Sequence, residues 1–129
     1  MYQFKITLRG SRPLIWRRFI TPDSATLPRL QDIIQTVMGW TDCHLHEFVA
    51  GNAAYGVPDP DWPSDMKNEA RVRIHSLVNK EKQKILYLYD FGDGWEHVCE
   101  LEKIVAVDKA TSKPRCRLVH GDRKSTRLN

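Results

Sequence analysis

No stretch of this sequence stays apolar for the ~18 residues that a membrane-crossing helix needs, and no charged start followed by an apolar core marks a secretory signal. The expectation is a soluble, cytoplasmic chain with no membrane partner. Cysteine is scarce. Cys43, Cys99 and Cys116 are odd in number and widely spaced, which argues against a disulfide framework and fits a reducing compartment. Also missing are a Gly-rich phosphate loop, a dinucleotide fingerprint, a nucleophile elbow, and the His-Glu-x-x-His and paired Cys-x-x-Cys metal signatures. There is no internal repeat and no low-complexity tract. What remains is 129 residues, 41% hydrophobic and 28% charged, the composition of one globular domain large enough to bury a core.

The formal charge of +4 invites a nucleic-acid reading, but its sources are scattered. Residues 1–22 carry Lys5, Arg9, Arg12, Arg17 and Arg18 and no acid, a net +5. Residues 23–70 sum to −6, residues 71–107 to zero and residues 108–129 to +5. A nucleic-acid surface needs bases gathered on one face, which here requires the two ends of the chain to converge.

Tyr2, Phe4, Ile6 and Leu8 alternate with polar residues, the period of a strand with one buried face. Gly10 to Pro13 turn the chain, and Leu14 to Ile20 follow as a second strand paired to the first. Thr26 caps a helix over residues 27–38, with Pro28 in its first turn, a stripe of Leu27, Leu30, Ile34, Val37 and Met38, and Gly39 to end it. Leu45–Ala50 and Ala53–Tyr55 form a hairpin turning at Gly51-Asn52. Residues 57–70, with three prolines and four acids, read as a surface loop. Val72, Ile74 and Val78 mark a weak strand or one helical turn. Ile85–Phe91 and Trp95–Val105 are strands joined at Gly92-Asp93-Gly94, and Arg115–Val119 is a last short strand. Six or seven strands and one helix imply an α+β fold, the helix packed on one face of a mixed or mostly antiparallel sheet.

Four motifs stand in order: Pro13-Leu14-Ile15-Trp16-Arg17-Arg18; Ile34-Gln35 with Met38-Gly39-Trp40; His44-Leu45-His46-Glu47-Phe48; and Tyr89-Asp90-Phe91-Gly92-Asp93-Gly94-Trp95-Glu96-His97. Together they closely resemble the plasmid pRiA4b ORF-3-like family, also met as insertion-element passenger proteins labelled TnpR-like. The resemblance implies a single α+β roll domain over residues 1–121, found near plasmids and mobile elements, with no established reaction or cofactor. It carries no recombinase mechanism: Ser11 lies in the first hairpin turn between Arg9 and Arg12, without the surroundings of a serine recombinase. The family continues into a cysteine-, proline- and acid-rich segment after Pro114-Arg115-Cys116. Here Asp122–Asn129 depart from that pattern and read as translated sequencing adapter, so the domain is expected to be truncated and the tail disordered or artefactual. Without the tail the formal charge is +2.

Two chemistries compete for the motif residues. His44 and His46 share one strand face, and Trp95, His97 and Cys99 share another. If those faces meet, His44, His46 and His97 near Asp90 or Asp93 form a three-ligand site for zinc or another divalent metal, with an open position that activates water. The competing reading has these histidines bonded to backbone or carboxylates, locking the strand ends. Asp90 and Asp93 read as a carboxylate pair or as turn formers. With Trp95 they make a candidate ligand-binding surface rich in aromatics. Trp16 beside Arg18 is a second candidate, an aromatic next to a base as used on single-stranded nucleic acid. Its competing reading is a buried Trp with one arginine on the surface and one paired to an acid. Cys43 beside His44 points away from it on a strand, and Cys99 reads as a small core residue. The expected function is a non-catalytic accessory module that binds DNA or an element-encoded protein; the alternative is a metal-dependent enzyme.

Overall fold

The structure, a computed structural model, describes residues 1–41, 44–61, 64–90, 94–106 and 117–121, the last of these by backbone alone. The strands are β1 Tyr2–Leu8, β2 Ile15–Thr21, β3 His46–Ala50, β4 Ala53–Gly56, β5 Lys67–Asn68, β6 Lys84–Tyr89, β7 Trp95–Ile104 and β8 Arg117–Gly121, with helix α1 at Leu27–Met38. They make one sheet in the order β5-β4-β3-β6-β7-β1-β2-β8. The β4–β5 pair is parallel and the other described pairs are antiparallel, so the sheet is mixed.

Alternation along the strands separates two faces. On one, Phe48, Tyr87, His97 and Leu8 stand in register across β3, β6, β7 and β1, and the next rank is Ile85, Cys99, Ile6 and Arg17. This face carries the core, in which Phe4, Ile6, Phe19, Phe48, Ile85, Tyr87, Cys99 and Leu101 are fully buried. The other face has Val49, Leu86, Val98, Thr7 and Trp16 in one rank and Lys84, Glu100, Lys5 and Arg18 in the next. Helix α1 begins where the Thr26 hydroxyl accepts the Arg29 N–H and ends at Gly39, whose φ of 75° is left-handed. Its apolar stripe joins the core cluster, and Gln31 and Gln35 of the same stripe hydrogen-bond Tyr87 of β6.

The helix and both N-terminal strands lie where alternation and capping place them. The strand beyond the expected six or seven is β5, two residues inside the segment read as a loop. Residues 72–78 combine both expected forms: Arg73 makes an isolated bridge to Thr26, and Ile74–Ser76 is a turn of 3-10 helix. β8 lies two residues later than Arg115–Val119. Among the described residues no helix is long and apolar enough to cross a membrane. Cys43, Phe91, Asp93, Cys116 and the tail 122–129 lie outside the described residues.

Candidate functional site

The left-handed turn at Gly39 brings Trp40 back over the sheet, with its backbone N–H donating to the Gln35 carbonyl at 2.9 Å. There the Trp40 indole N–H donates to His97 Nε2 at 3.2 Å. On its other side His97 Nδ1–H donates to the Tyr87 carbonyl at 3.2 Å, which sets the tautomer. Burial pushes His97 down to about 4, against the upward pull of the Tyr87 and Trp95 carbonyls. His97 is therefore a neutral core histidine with both nitrogens engaged.

Aromatic rings pack around it. Trp40 stacks on Tyr89 at 5.8 Å and lies 5.9 Å from Trp95, whose side chain is 41% exposed. Tyr87 is the centre of the layer, 5.3 Å from His97, 6.0 Å from His46 and 5.1 Å from Phe48. Its hydroxyl donates to Gln31 Oε1 and accepts from Gln35 Nε2, the latter at 2.7 Å.

The metal site of the alternative reading is not assembled among the described residues, where no three of His, Cys, Asp and Glu stand close enough to hold an ion. His46 and His97 do share one face, because β6 lies between β3 and β7. Yet the Tyr87 ring stands between them, and His46 Nε2 is bound to Glu69 Oε1 at 2.7 Å. Glu69, just after β5, is only 3% exposed, so the pair ties the acidic segment to β3. His44 is more open, with Nε2 3.6 Å from Asp90 Oδ2 and its ring edge on Tyr89. Asp90 adopts φ 59° as the chain leaves β6, donating to the Leu45 carbonyl and accepting from Gly94 N–H. Asp accepts this left-handed conformation more readily than most residues. The bonded-histidine reading is the one that describes His46 and His97.

The candidate ligand residues divide between the two faces. Asp90 and Trp95 belong with Trp40, His44 and Tyr89. Trp16 and Arg18 lie on the other face, where the Arg18 guanidinium and Lys5 Nζ each sit 4.9 Å from the half-buried Trp16 ring. Arg18 grips Glu102 with two bonds, at 2.7 and 3.2 Å. The bond to Glu102 raises the Arg18 pKa; burial pushes Glu102 up, but Arg18, Gln3 and the charge of Lys5 outweigh it and hold Glu102 below the usual range. Arg17, facing the core, is buried and donates to the Trp16 carbonyl at 2.7 Å.

Gln31, Gln35, Trp40, Tyr87 and Glu69 were not among the residues singled out as chemistry-bearing from the sequence. Gln31 and Gln35 had a signal, being polar at an i, i+4 spacing on the buried stripe of α1. Glu69 had none, since it sits in a run of acids that reads as solvated.

Comparisons with known proteins agree with this fold. The model of the plasmid pRiA4b ORF-3-like protein family matches residues 1–126. An uncharacterized protein, y4hQ, of Sinorhizobium fredii (strain NBRC 101917 / NGR234) is 39% identical over 102 residues, covering 78% of this chain and 53% of the relative. The chain thus spans about half the length of that curated relative. A crystal structure of a protein of unknown function, MM3350, from Methanosarcina mazei Go1 superposes with a TM-score of 0.78 at 32% identity, over 93% of this chain and 68% of that one. Family match, sequence relative and shared architecture agree that this chain belongs to the plasmid pRiA4b ORF-3-like family.

Proposed function

We propose that the chain is a non-catalytic binding module, an accessory protein of a plasmid or mobile element, and that its partner is another protein of that element rather than DNA. The observation that carries this reading is the fate of the basic first hairpin. Of its five bases, Arg12 stands exposed, but Arg17 is buried, Arg18 is held by Glu102, and Arg9 lies 3.2 Å from Glu96. Lys5 lies over Trp16, in register with Glu100. Binding to a phosphate backbone draws on cations free to replace counterions, and two of these, Arg9 and Arg18, are paired with acids of β7. Alternating charges beside the half-buried rank of Val49, Leu86 and Val98 suit a protein surface better.

The non-catalytic part rests on His97 and His46, whose described bonds serve the fold. The test is fluorescence anisotropy of labelled single- and double-stranded oligonucleotides titrated with the full chain at low and physiological salt. No change in anisotropy is expected at either. Binding that weakens steeply with salt overturns the proposal.

A further inference from the structure

A groove of about 1140 Å³ opens between the start of β3, the β3–β4 hairpin, Val57, Asp59 and residues 64–67. Leu45 and Val57 line it while 70% and 63% exposed, so each leaves most of its apolar surface in water. Met66 lines it as well, packed so closely on Gly56 that a Cβ there would collide with its Sδ. The charges in the walls are Glu47, Asp59 and Asp65 against Lys67. Among the described residues none of the three carboxylates is ion-paired, and Lys67 Nζ sits 5.9 Å from the Tyr55 ring centroid. On the same side the parallel register of β5 with Tyr55 and Gly56 brings Asp65 and Met66, just before β5, alongside Ala53 and Ala54.

We infer that this groove docks an extended, basic segment of a protein partner, one with alternating cationic and apolar side chains. The inference rests on the protein-binding reading above and adds the partner's chemistry. The period of two in an extended chain sends alternate side chains to opposite sides, so apolar groups meet Leu45 and Val57 while cations meet the carboxylates. The same carboxylates repel a nucleic-acid strand.

The experiment measures anisotropy of a labelled Lys-Val-Lys-Leu-Lys-Val-Lys peptide against the full chain. Controls are a block isomer of the same composition and a version with Glu in place of Lys. The protein variants are Leu45→Ser and the double change Asp59→Asn, Asp65→Asn, all at exposed positions, with melting temperatures confirming that they fold. The alternating peptide is expected to bind the wild type, and about tenfold or more weaker binding is expected for the block isomer and for both variants. The Glu peptide is expected not to bind. Equal binding of the two Lys peptides reduces the effect to bulk charge and overturns the inference. Unchanged binding to both variants places the segment elsewhere, which overturns the groove but leaves the protein-binding reading intact. No binding to the wild type overturns the groove alone, since the DNA titration judges the broader reading separately. A concentration-dependent dimer that Leu45→Ser abolishes puts a second copy of the chain in the groove and also overturns the inference.

Discussion

Acid is expected to weaken this protein over a pH range in which most of its carboxylates are still ionised, and His97 is the cause. In the folded chain its ring is fully buried, its Nδ1–H bound to the Tyr87 carbonyl and its Nε2 occupied by the Trp40 indole. Protonation would place a second N–H against the indole N–H and a charge where water cannot reach it, so burial lowers its pKa from 6.5 to about 4. Above pH 6.5 both folded and unfolded chains hold a neutral histidine, and the residue contributes nothing to pH dependence. Between 6.5 and 4 the unfolded chain binds a proton that the folded chain refuses, so stability falls as pH falls. Below 4 both bind it and the loss levels off. The full penalty is about 3 kcal/mol, most of it developed by pH 4.5. That is a large share of the roughly 5–15 kcal/mol typical of a whole domain. The assay is urea unfolding followed by circular dichroism from pH 7.5 to 4.5, on the wild type and on His97→Gln, whose amide supplies one donor and one acceptor without titrating. The variant is less stable at neutral pH but should lose about 2 kcal/mol less than the wild type on acidification. Every other ionisable group is common to the two proteins, so its contribution cancels in the comparison. Equal losses, or an NMR signal of the His97 ring titrating near 6.5, would refute the argument.

Tyr87→Phe removes the hydroxyl that joins Gln31 and Gln35, leaving buried amide groups short of a partner. A loss of about 1–3 kcal/mol is expected in denaturant unfolding, and a change within error would show that the amides re-pair. His46→Ala leaves the Glu69 carboxylate buried without its partner, so it should cost about 3–5 kcal/mol in denaturant unfolding; a change within error would contradict the pairing. Gly39→Ala forces a Cβ into the left-handed turn that positions Trp40, and about 1 kcal/mol of lost stability is expected. An unchanged melting temperature would mean that the turn can relax.

The fold was readable wherever a residue's surroundings follow from its own position. Tyr2 to Leu8 alternate, and the buried side of β1 is the one that alternation marks. Thr26, Pro28 and Gly39 bracket α1 at its observed limits because caps are local chemistry. Lys67–Asn68 could not be read in this way. Two residues carry no period, and their strand exists only because the Gly56 carbonyl accepts the Glu69 N–H and His46 fixes the Glu69 side chain.

The histidines show where such reading ends and why. That His97 faces the same way as Trp95 and Cys99 follows from strand geometry. Whether it ligates a metal or stays neutral depends on Trp40 and Tyr87, 57 and 10 residues away in sequence, which only the sheet order brings to its two nitrogens. The charge obeys the same rule. A net +5 over residues 1–22 is a property of the list of residues. Pairing β1 with β7 sets Glu96, Glu100 and Glu102 of the neutral central segment against those bases. An antiparallel neighbour offsets a field that the first hairpin alone would present, while Asp59 and Asp65 lie outside the described ion pairs. A formal charge of +4 therefore says nothing of the groove walls, where Glu47, Asp59 and Asp65 stand against Lys67.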